Sequence, residues 1–419
     1  MKICIKTLGC KVNAYESECI EEEFKNNGYT VTDETQDADV IVVNTCTVTN
    51  QADAKSRKII RGARKNEDAC LVVCGCSSQQ HKDSLFELGV DILLGTTGKT
   101  KIFNLVNEWL ENKEKISLFD DVRYVDFEKT NINDMDGKTR AFVKIQDGCN
   151  NFCSYCIIPL VRGRVRSKDL KDAVDEINTL ANNGYKEVVL TGIHTGAYGE
   201  GEDYDLVDLI REISKNDNLL RIRISSIEIT QLDEKFMEEF KNNKKICSHI
   251  HVPVQCPNDE ILKAMNRKYT LDEYKKKIDE LRDAREDVNI TTDLIVGFPG
   301  ETEEIFNSML DECVKIGFSK IHTFPYSLRK GTKASLMKQV KDSDKTDRTD
   351  KMLRLSDQLE SNYYKKYLGK TVSVLVEKNN SGFTSNYIKV HFDKDIDEGN
   401  VIDVKITKVD GINVYGEVI

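Results

Sequence analysis

The sequence predicts an α/β protein in three parts: an N-terminal doubly wound α/β domain, a central partial (β/α)6 barrel and a small C-terminal all-β barrel. Three observations predict it. Apolar strand-like runs alternate with amphipathic helical stretches through the first third. The alternation restarts at Arg140 and goes through six rounds, and from Leu368 the hydrophobic period changes to every second residue. A chain of 419 residues has room for two to four domains. The expected boundaries are 1–115, a linker over 116–137, 138–366 and 367–419.

In the first domain "KICIKTL" reads as a strand. Asn13, three residues before Glu16, then resembles a capping-box start, and Tyr15, Cys19 and Phe24 give the helix an apolar face. "DVIVVNTC" and "ACLVVCGC" are nearly continuous apolar runs, as buried parallel strands require. "VDILLG" adds a strand and "KIFNLVNEWL" a helix, before a charged stretch over 111–138 that reads as the linker. The barrel strands are "AFVKIQ", "EVVLTGI", "LRIRISSIE", "HIHVPVQ", "VNITTDLIVG" and "KIHTFPYS". Helices such as "LKDAVDEINTLANNG", stopped at Gly184, lie between several of them. Right-handed crossovers turn such a series into a parallel barrel, and six units, short of the usual eight, leave it open. In the tail "TVSVLVE", "NYIKVHF" and "VIDVKITKV" alternate in period two, punctuated by Gly369, Gly382, Gly399 and Gly411. The pattern is similar to that of oligonucleotide-binding barrels.

Composition narrows the function classes. Hydrophobic residues make up 39% of the chain, enough for buried cores, yet no run approaches the ~18 apolar residues of a membrane span. The opening "MKICIKTLGC" carries no signal-peptide core, so a cytoplasmic protein that does not cross a membrane is expected. Thirteen cysteines, an odd number, point in a reducing compartment to metal binding or chemistry rather than to a disulfide framework. The net charge of −10 gives no global sign of a nucleic-acid partner. Locally, residues 138–168 hold seven Lys/Arg against one acid, and 320–370 thirteen against six. These are either RNA contacts or solvated faces.

The chemistry concentrates in "CNNFCSYC", where Cys149, Cys153 and Cys156 stand without a fourth cysteine. Gly148 precedes the run, and Pro159 and Gly163 follow closely, so a loop wrapped around a cluster fits better than a helix. A cubane held by three thiolates keeps one iron free, and the run sits at the C-terminal end of the first barrel strand, where parallel barrels carry their sites. Cys10, Cys46 and Cys76 each end an apolar strand, so their loops share one sheet edge and are able to converge; three scattered thiols are the alternative. Cys74 faces the other way from Cys76, and Cys4, Cys19, Cys70, Cys247 and Cys313 read as core residues, whereas Cys256 has the placement of a cavity residue. "GTTGKT" fails as a phosphate loop because Leu93 stands where glycine is required. His249 and His251 share one strand face.

"TLGCKVN", "NTC", "GCNNFCSYCIIPLVRGRVRS", "VVLTGIHTGAYG", "RIRISSIE", "NDEILKAMNRKYT", "TTDLIVGFPGE" and "FPYS-R-GT" occur in order along nearly the whole chain. The set resembles the methylthiotransferases, radical S-adenosylmethionine (SAM) enzymes with two clusters and a C-terminal TRAM domain. "GIHTGAYG" and "SSIEI" are most similar to the branch acting on threonylcarbamoyladenosine beside the tRNA anticodon. The resemblance implies one [4Fe–4S] cluster on Cys149, Cys153 and Cys156 with SAM on its open iron, and a second on Cys10, Cys46 and Cys76. It places Thr191 and Gly192 at the SAM amino group, Glu228, Gln255 and Asp293 in the same mouth, and Gly297, opening "GFPGE", near the adenosine. It implies the tRNA anticodon loop as partner, with Arg162, Arg164, Arg166, Arg329 and Lys330 as RNA contacts, and a flavodoxin- or ferredoxin-type electron donor. Two departures stand out: Gln255-Cys256-Pro257 replaces the usual Gln-Ser-Gly, and "LVRG" lacks the common aromatic. Other readings are methylthiolation of a ribosomal-protein aspartate or of isopentenyladenosine in tRNA, and a non-catalytic iron–sulfur or zinc RNA-binding protein.

Overall fold

The computed structural model describes residues 1–135 and 137–419. The N-terminal domain is a six-stranded, all-parallel sheet of β1 (Lys2–Thr7), β2 (Thr30–Val31), β3 (Val40–Thr45), β4 (Cys70–Gly75), β5 (Ile92–Leu94) and β6 (Ile116–Leu118), in the order β2-β1-β3-β4-β5-β6. Strand alternation divides the side chains between two layers. Val40, Val42 and Val72 pack under α1 (Lys11–Asn26) and α4 (Ile102–Asn112). Ile41, Val43 and Leu71 pack under α2 (Asn50–Ala63) and α3 (Cys76–Phe86). The doubly wound reading holds, with two corrections. β6 lies inside the expected linker, because Ile116–Leu118 extends the sheet edge at β5. Helix α1 starts at Lys11, so Cys10 is its N-cap, and Asn13 instead donates to the carbonyls of Leu8 and Thr45.

All six expected barrel strands form: β7 (Arg140–Lys144), β10 (Glu187–Thr191), β11 (Arg221–Ile224), β12 (His249–His251), β13 (Asn289–Val296) and β14 (Lys320–Pro325). Between the first two, β8 (Gln146–Asp147) and β9 (Arg166–Ser167) form an antiparallel pair that brackets the cysteine loop and α5 (Ile158–Val161). The six strands form two parallel triplets, β7-β10-β11 and β12-β13-β14, joined by an Ile222–Ile246 bridge. The wall is therefore open between β7 and β14. Outside lie α6 (Leu170–Asn182), α7 (Leu206–Ile213), α8 (Glu234–Asn242), α9 (Asp259–Ala264), α10 (Leu271–Ala284) and α11 (Glu303–Ile316). Their apolar faces, including Ile177, Ile210, Phe236 and Ile278, complete one core.

Helix α12 (Asp342–Lys365) runs beside β14, where Ser356 Oγ accepts from the Ile321 amide at 3.0 Å. It delivers the chain to a closed barrel of β15 (Thr371–Glu377), β16 (Ser381–Thr384), β17 (Lys389–His391), β18 (Val401–Asp410) and β19 (Asn413–Val418). The period-two pattern reveals three of these. β16 is four residues long, and β19 carries Gly416 mid-strand, so neither projects a clean alternation. The β16–β17 turn reaches into the amino-terminal end of the large barrel. Arg221 and Arg223 of β11 donate to the carbonyls of Phe383, Thr384 and Ser385, and Asn289 donates to that of Asn386.

Candidate active site

β1, β3 and β4 are neighbours in the sheet, so the loops that follow them lie side by side, about 4.8 Å apart per strand. Cys10 caps α1, Cys46 follows β3, and Cys76 opens α3. Gly9 lets the first two loops touch: a β-carbon there would stand 2.7 Å from Cys46 Cβ, and its φ of +99° suits glycine. Burial pushes the Cys46 thiol up to about 11, and its neighbours Cys76 and Cys10 push the same way. Cys76 is raised by burial, while Arg162 beside it works in the opposite direction. Gly9 thus abuts Cys46, and Cys10, Cys46 and Cys76 line one cavity.

The second triad lies in irregular chain between β8 and α5, as the Gly148 and Pro159 punctuation requires. Gly148 turns the chain at φ +72°, where a side chain would overlap the Arg164 carbonyl. The Asn151 amide points at Cys149 Sγ at 3.4 Å, and Arg267 Nη1 at Cys153 Sγ at 3.5 Å. Arg267 also pairs with Glu228. Burial, reinforced by Cys153, raises Cys149 to about 11 and Cys156 to about 12. Half-buried thiols that oppose each other's ionisation, with N–H donors aimed at sulfur, suit a cationic iron–sulfur cluster. Among the described residues, no three His, Cys, Asp or Glu side chains are gathered as for a single metal ion. A cubane presents separate irons to its thiolates and takes a wider set.

One cavity of about 1030 Å³ runs down the large barrel. Cys10, Cys46 and Cys76 line its upper end, and Thr191, Gly192 and Asp293 its wall. Among the described residues Thr191 Oγ1 is buried without a partner, a hydroxyl of the kind a polar cofactor takes up. Glu228 stands apart, in a narrow opening with Cys153 and Arg267. Gln255 and Gly297 lie outside the cavity lining. Gln255 adopts φ +66° and its amide donates to the Asp293 carbonyl, while Gly297 donates to Glu301 and is crowded by the Lys345 stem. Cys256 is not a cavity residue either; it is fully buried against Met309. His249 and His251 do share a cavity-facing side, both bonded to Thr291 Oγ1, and His251 meets Asp293 at 3.3 Å. At the floor, Tyr387 stacks on His249 and Phe383, each at 4.8 Å.

Most cations of the basic stretch 138–168 are committed to internal ion pairs. Arg162 is 0% exposed: its Nε points at Cys76 Sγ at 3.2 Å, and its guanidinium binds Glu16, Asp147 and Asn13. Lys144 and Arg166 also pair with Asp147, and Lys138 and Lys168 pair with Glu18 and Glu176. Arg329 is likewise 6% exposed and anchored on Asp53. Lys138, Lys144, Arg162 and Arg329 thereby tie the first domain to the barrel. Arg164, over the Phe152 ring, and Lys330 remain exposed. Sequence reasoning missed Arg267, Lys11 and Tyr387 as site residues. Arg267 and Lys11 lie inside quoted motifs, "NDEILKAMNRKYT" and "TLGCKVN", whereas nothing local marks Tyr387.

A partial parallel barrel with CxxxCxxC after its first strand defines the class, a radical SAM protein. The sequence model of the Radical SAM superfamily matches residues 143–313, and that described as Uncharacterized protein family UPF0004 matches residues 2–95. The chain is 40% identical to threonylcarbamoyladenosine tRNA methylthiotransferase MtaB of Bacillus subtilis (strain 168), over 97% of this chain and 94% of that protein. It is 37% identical to the protein of the same name in Thermotoga maritima, over 93% and 90%. It is 35% identical to tRNA-2-methylthio-N(6)-dimethylallyladenosine synthase of Alkaliphilus oremlandii, over 100% and 93%. In fold it is similar to the radical SAM methyltransferase TsrM of Kitasatospora setae, with a TM-score of 0.58 and 16% identity over 80% of this chain and 77% of that one. The chain belongs to the radical SAM tRNA methylthiotransferase family.

Proposed function

We propose that this protein converts N6-threonylcarbamoyladenosine beside the tRNA anticodon to its 2-methylthio derivative. The observation that carries the reading is the pair of cysteine triads, one after the first barrel strand and one on the sheet edge that closes the barrel cavity. The 40% identity to a protein named for that substrate, above the 35% to a dimethylallyladenosine enzyme, favours the threonylcarbamoyl base.

Cys149, Cys153 and Cys156 would hold one [4Fe–4S] cluster with SAM, and Cys10, Cys46 and Cys76 the other, supplying reductive cleavage of SAM and a sulfur donor. Around them the chain's own residues orient and exclude. Arg267, fixed by Glu228, aims N–H groups at Cys153; Ile157 and Val161, both buried with Cys76, keep water from the space between the triads. Thr191, Gly192 and Asp293 offer polar contacts for SAM along the cavity wall. Glu228 supports the triad from outside that wall, and Gln255 and Gly297 shape the backbone beside Asp293 and Glu301. The domain limits are 1–118, 119–137, 138–366 and 367–419, with β6 in the first. The reductant is of flavodoxin or ferredoxin type, and the setting cytoplasmic; among the described residues no helix is long and apolar enough to cross a membrane.

Mass spectrometry of tRNA nucleosides from cells with and without the gene tests this. The 2-methylthio derivative of threonylcarbamoyladenosine should vanish in its absence; its persistence, with loss of the isopentenyl derivative instead, overturns the substrate. In the purified enzyme Cys149→Ala should abolish SAM cleavage, whereas Cys46→Ala should spare cleavage and stop sulfur insertion. Equal loss of cleavage in both would contradict separate roles for the triads.

A further inference from the structure

Lys11 follows Cys10 directly, opens α1 and lines the central cavity. Among the described residues its ammonium has neither an ion pair nor a hydrogen bond, whereas Lys99 and Lys144 are both neutralised by Glu16. The acids that line this cavity are paired with other groups of its wall, Asp293 with His251 at 3.3 Å and Glu360 with Lys320 at 2.9 Å. A second polar atom in the same space is unsatisfied. His249 is 6% exposed, its Nε2 meets Thr291 Oγ1 at 3.0 Å, and its Nδ1 has no partner among the described residues. A partly enclosed cation without an acid, sharing its cavity with an unpaired imidazole nitrogen, is what an anion site looks like before its ligand arrives.

We propose that Lys11, with His249 deeper in the cavity, receives the carboxylate of the threonylcarbamoyl group of the substrate base. The proposal rests on the substrate reading above and adds the group that recognises it. Carbons 2 and 6 of adenine flank one ring nitrogen, so a substituent on N6 and a reaction at carbon 2 share one edge of the base. A base that turns this edge toward Cys10, Cys46 and Cys76 brings its N6 substituent beside the residue next to Cys10. An isopentenyl group has no charge to offer there. A desolvated ammonium would then disfavour that substrate as well as favour the acidic one.

The test compares two anticodon stem-loop RNAs, one with threonylcarbamoyladenosine and one with plain adenosine, on the full-length enzyme with both clusters reconstituted anaerobically. Affinities are measured by fluorescence anisotropy at fixed salt without reductant, so no turnover enters. In Lys11→Gln the affinity ratio of modified to plain RNA should fall about tenfold, the worth of a charge-assisted contact. Lys11→Met, which matches the bulk of the stem, should behave alike, and Lys11→Arg should keep most of the ratio. An unchanged ratio in both neutral variants overturns the subsite. Equal weakening of both RNAs means a backbone phosphate contact and overturns it too. If the wild-type enzyme itself fails to prefer the modified RNA, the substrate reading falls with it.

Discussion

Arg162 carries two tasks at one position. It lies six residues after Cys156, donates toward Cys76 of the other triad, and is enclosed by Glu16, Asp147 and Asn13. Its local sequence, between Val161 and Gly163 in a basic run, suggests an exposed cation. Its partners come from three distant segments, and only the docked domains reveal the burial. Removing one member of such a network strands the others. Arg162→Gln should therefore cost about 3–5 kcal/mol in denaturant unfolding of the apoprotein, and a loss under about 1 kcal/mol would contradict a tight network. The cations hold Glu16 and Asp147 below the ordinary carboxylate range despite burial. A depressed folded pKa gives stability that is complete above the unfolded value, about 4, and drains as pH falls toward the folded one. Acid unfolding followed by circular dichroism should set in below about pH 4 in the wild type and at higher pH in Arg162→Gln.

At the scale of elements, the β16–β17 turn is the least expected part of the site. Tyr387 holds φ +66°, stacks on His249 and lies under the Arg223 guanidinium at 4.5 Å. Left-handed backbone costs an L-residue roughly 1 kcal/mol, and the ring contacts hold it there. Tyr387→Ala should thus lose about 3 kcal/mol, and Tyr387→Gly about 1 kcal/mol less, the reverse of the usual Gly–Ala order. Equal losses in chemical denaturation would mean that the turn relaxes once the ring is gone. The turn was illegible in sequence because its partners, β11 and β12, lie more than a hundred residues away. The inner strands of the first domain were legible because strands buried on both faces read as unbroken apolar runs, and the barrel strands because they alternate with amphipathic helices. The cysteine triads were legible because strand ends in parallel sheets share an edge. β6, β16 and β19 are short or glycine-bearing and exist through the strands beside them, so their own residues give little signal.

The whole molecule places three domains around one cavity, and the route of the RNA follows from which cations that assembly leaves free. Docking consumes most of the first basic stretch and anchors Arg329 on Asp53. Beyond that anchor, Lys330, Lys333, Lys338 and Lys341 are exposed and without ion pairs among the described residues. The segment lies against the loop that carries Cys149, Cys153 and Cys156: the Ala334 amide donates to the Ser154 carbonyl at 2.8 Å. On the substrate reading proposed above, an anticodon loop entering there would find positive charge for its phosphates. Each phosphate neutralised contributes about 0.7–0.9 to the slope of log affinity against log salt. Replacing all four lysines by glutamine should make that slope shallower by about 3, with SAM cleavage in the absence of RNA untouched. A change below about 1 would place the phosphates elsewhere, most directly on the C-terminal barrel, whose Lys405 and Lys408 are also exposed. Because charge removal at a solvent-facing segment does not touch the core, the slope separates an entry path from a folding defect.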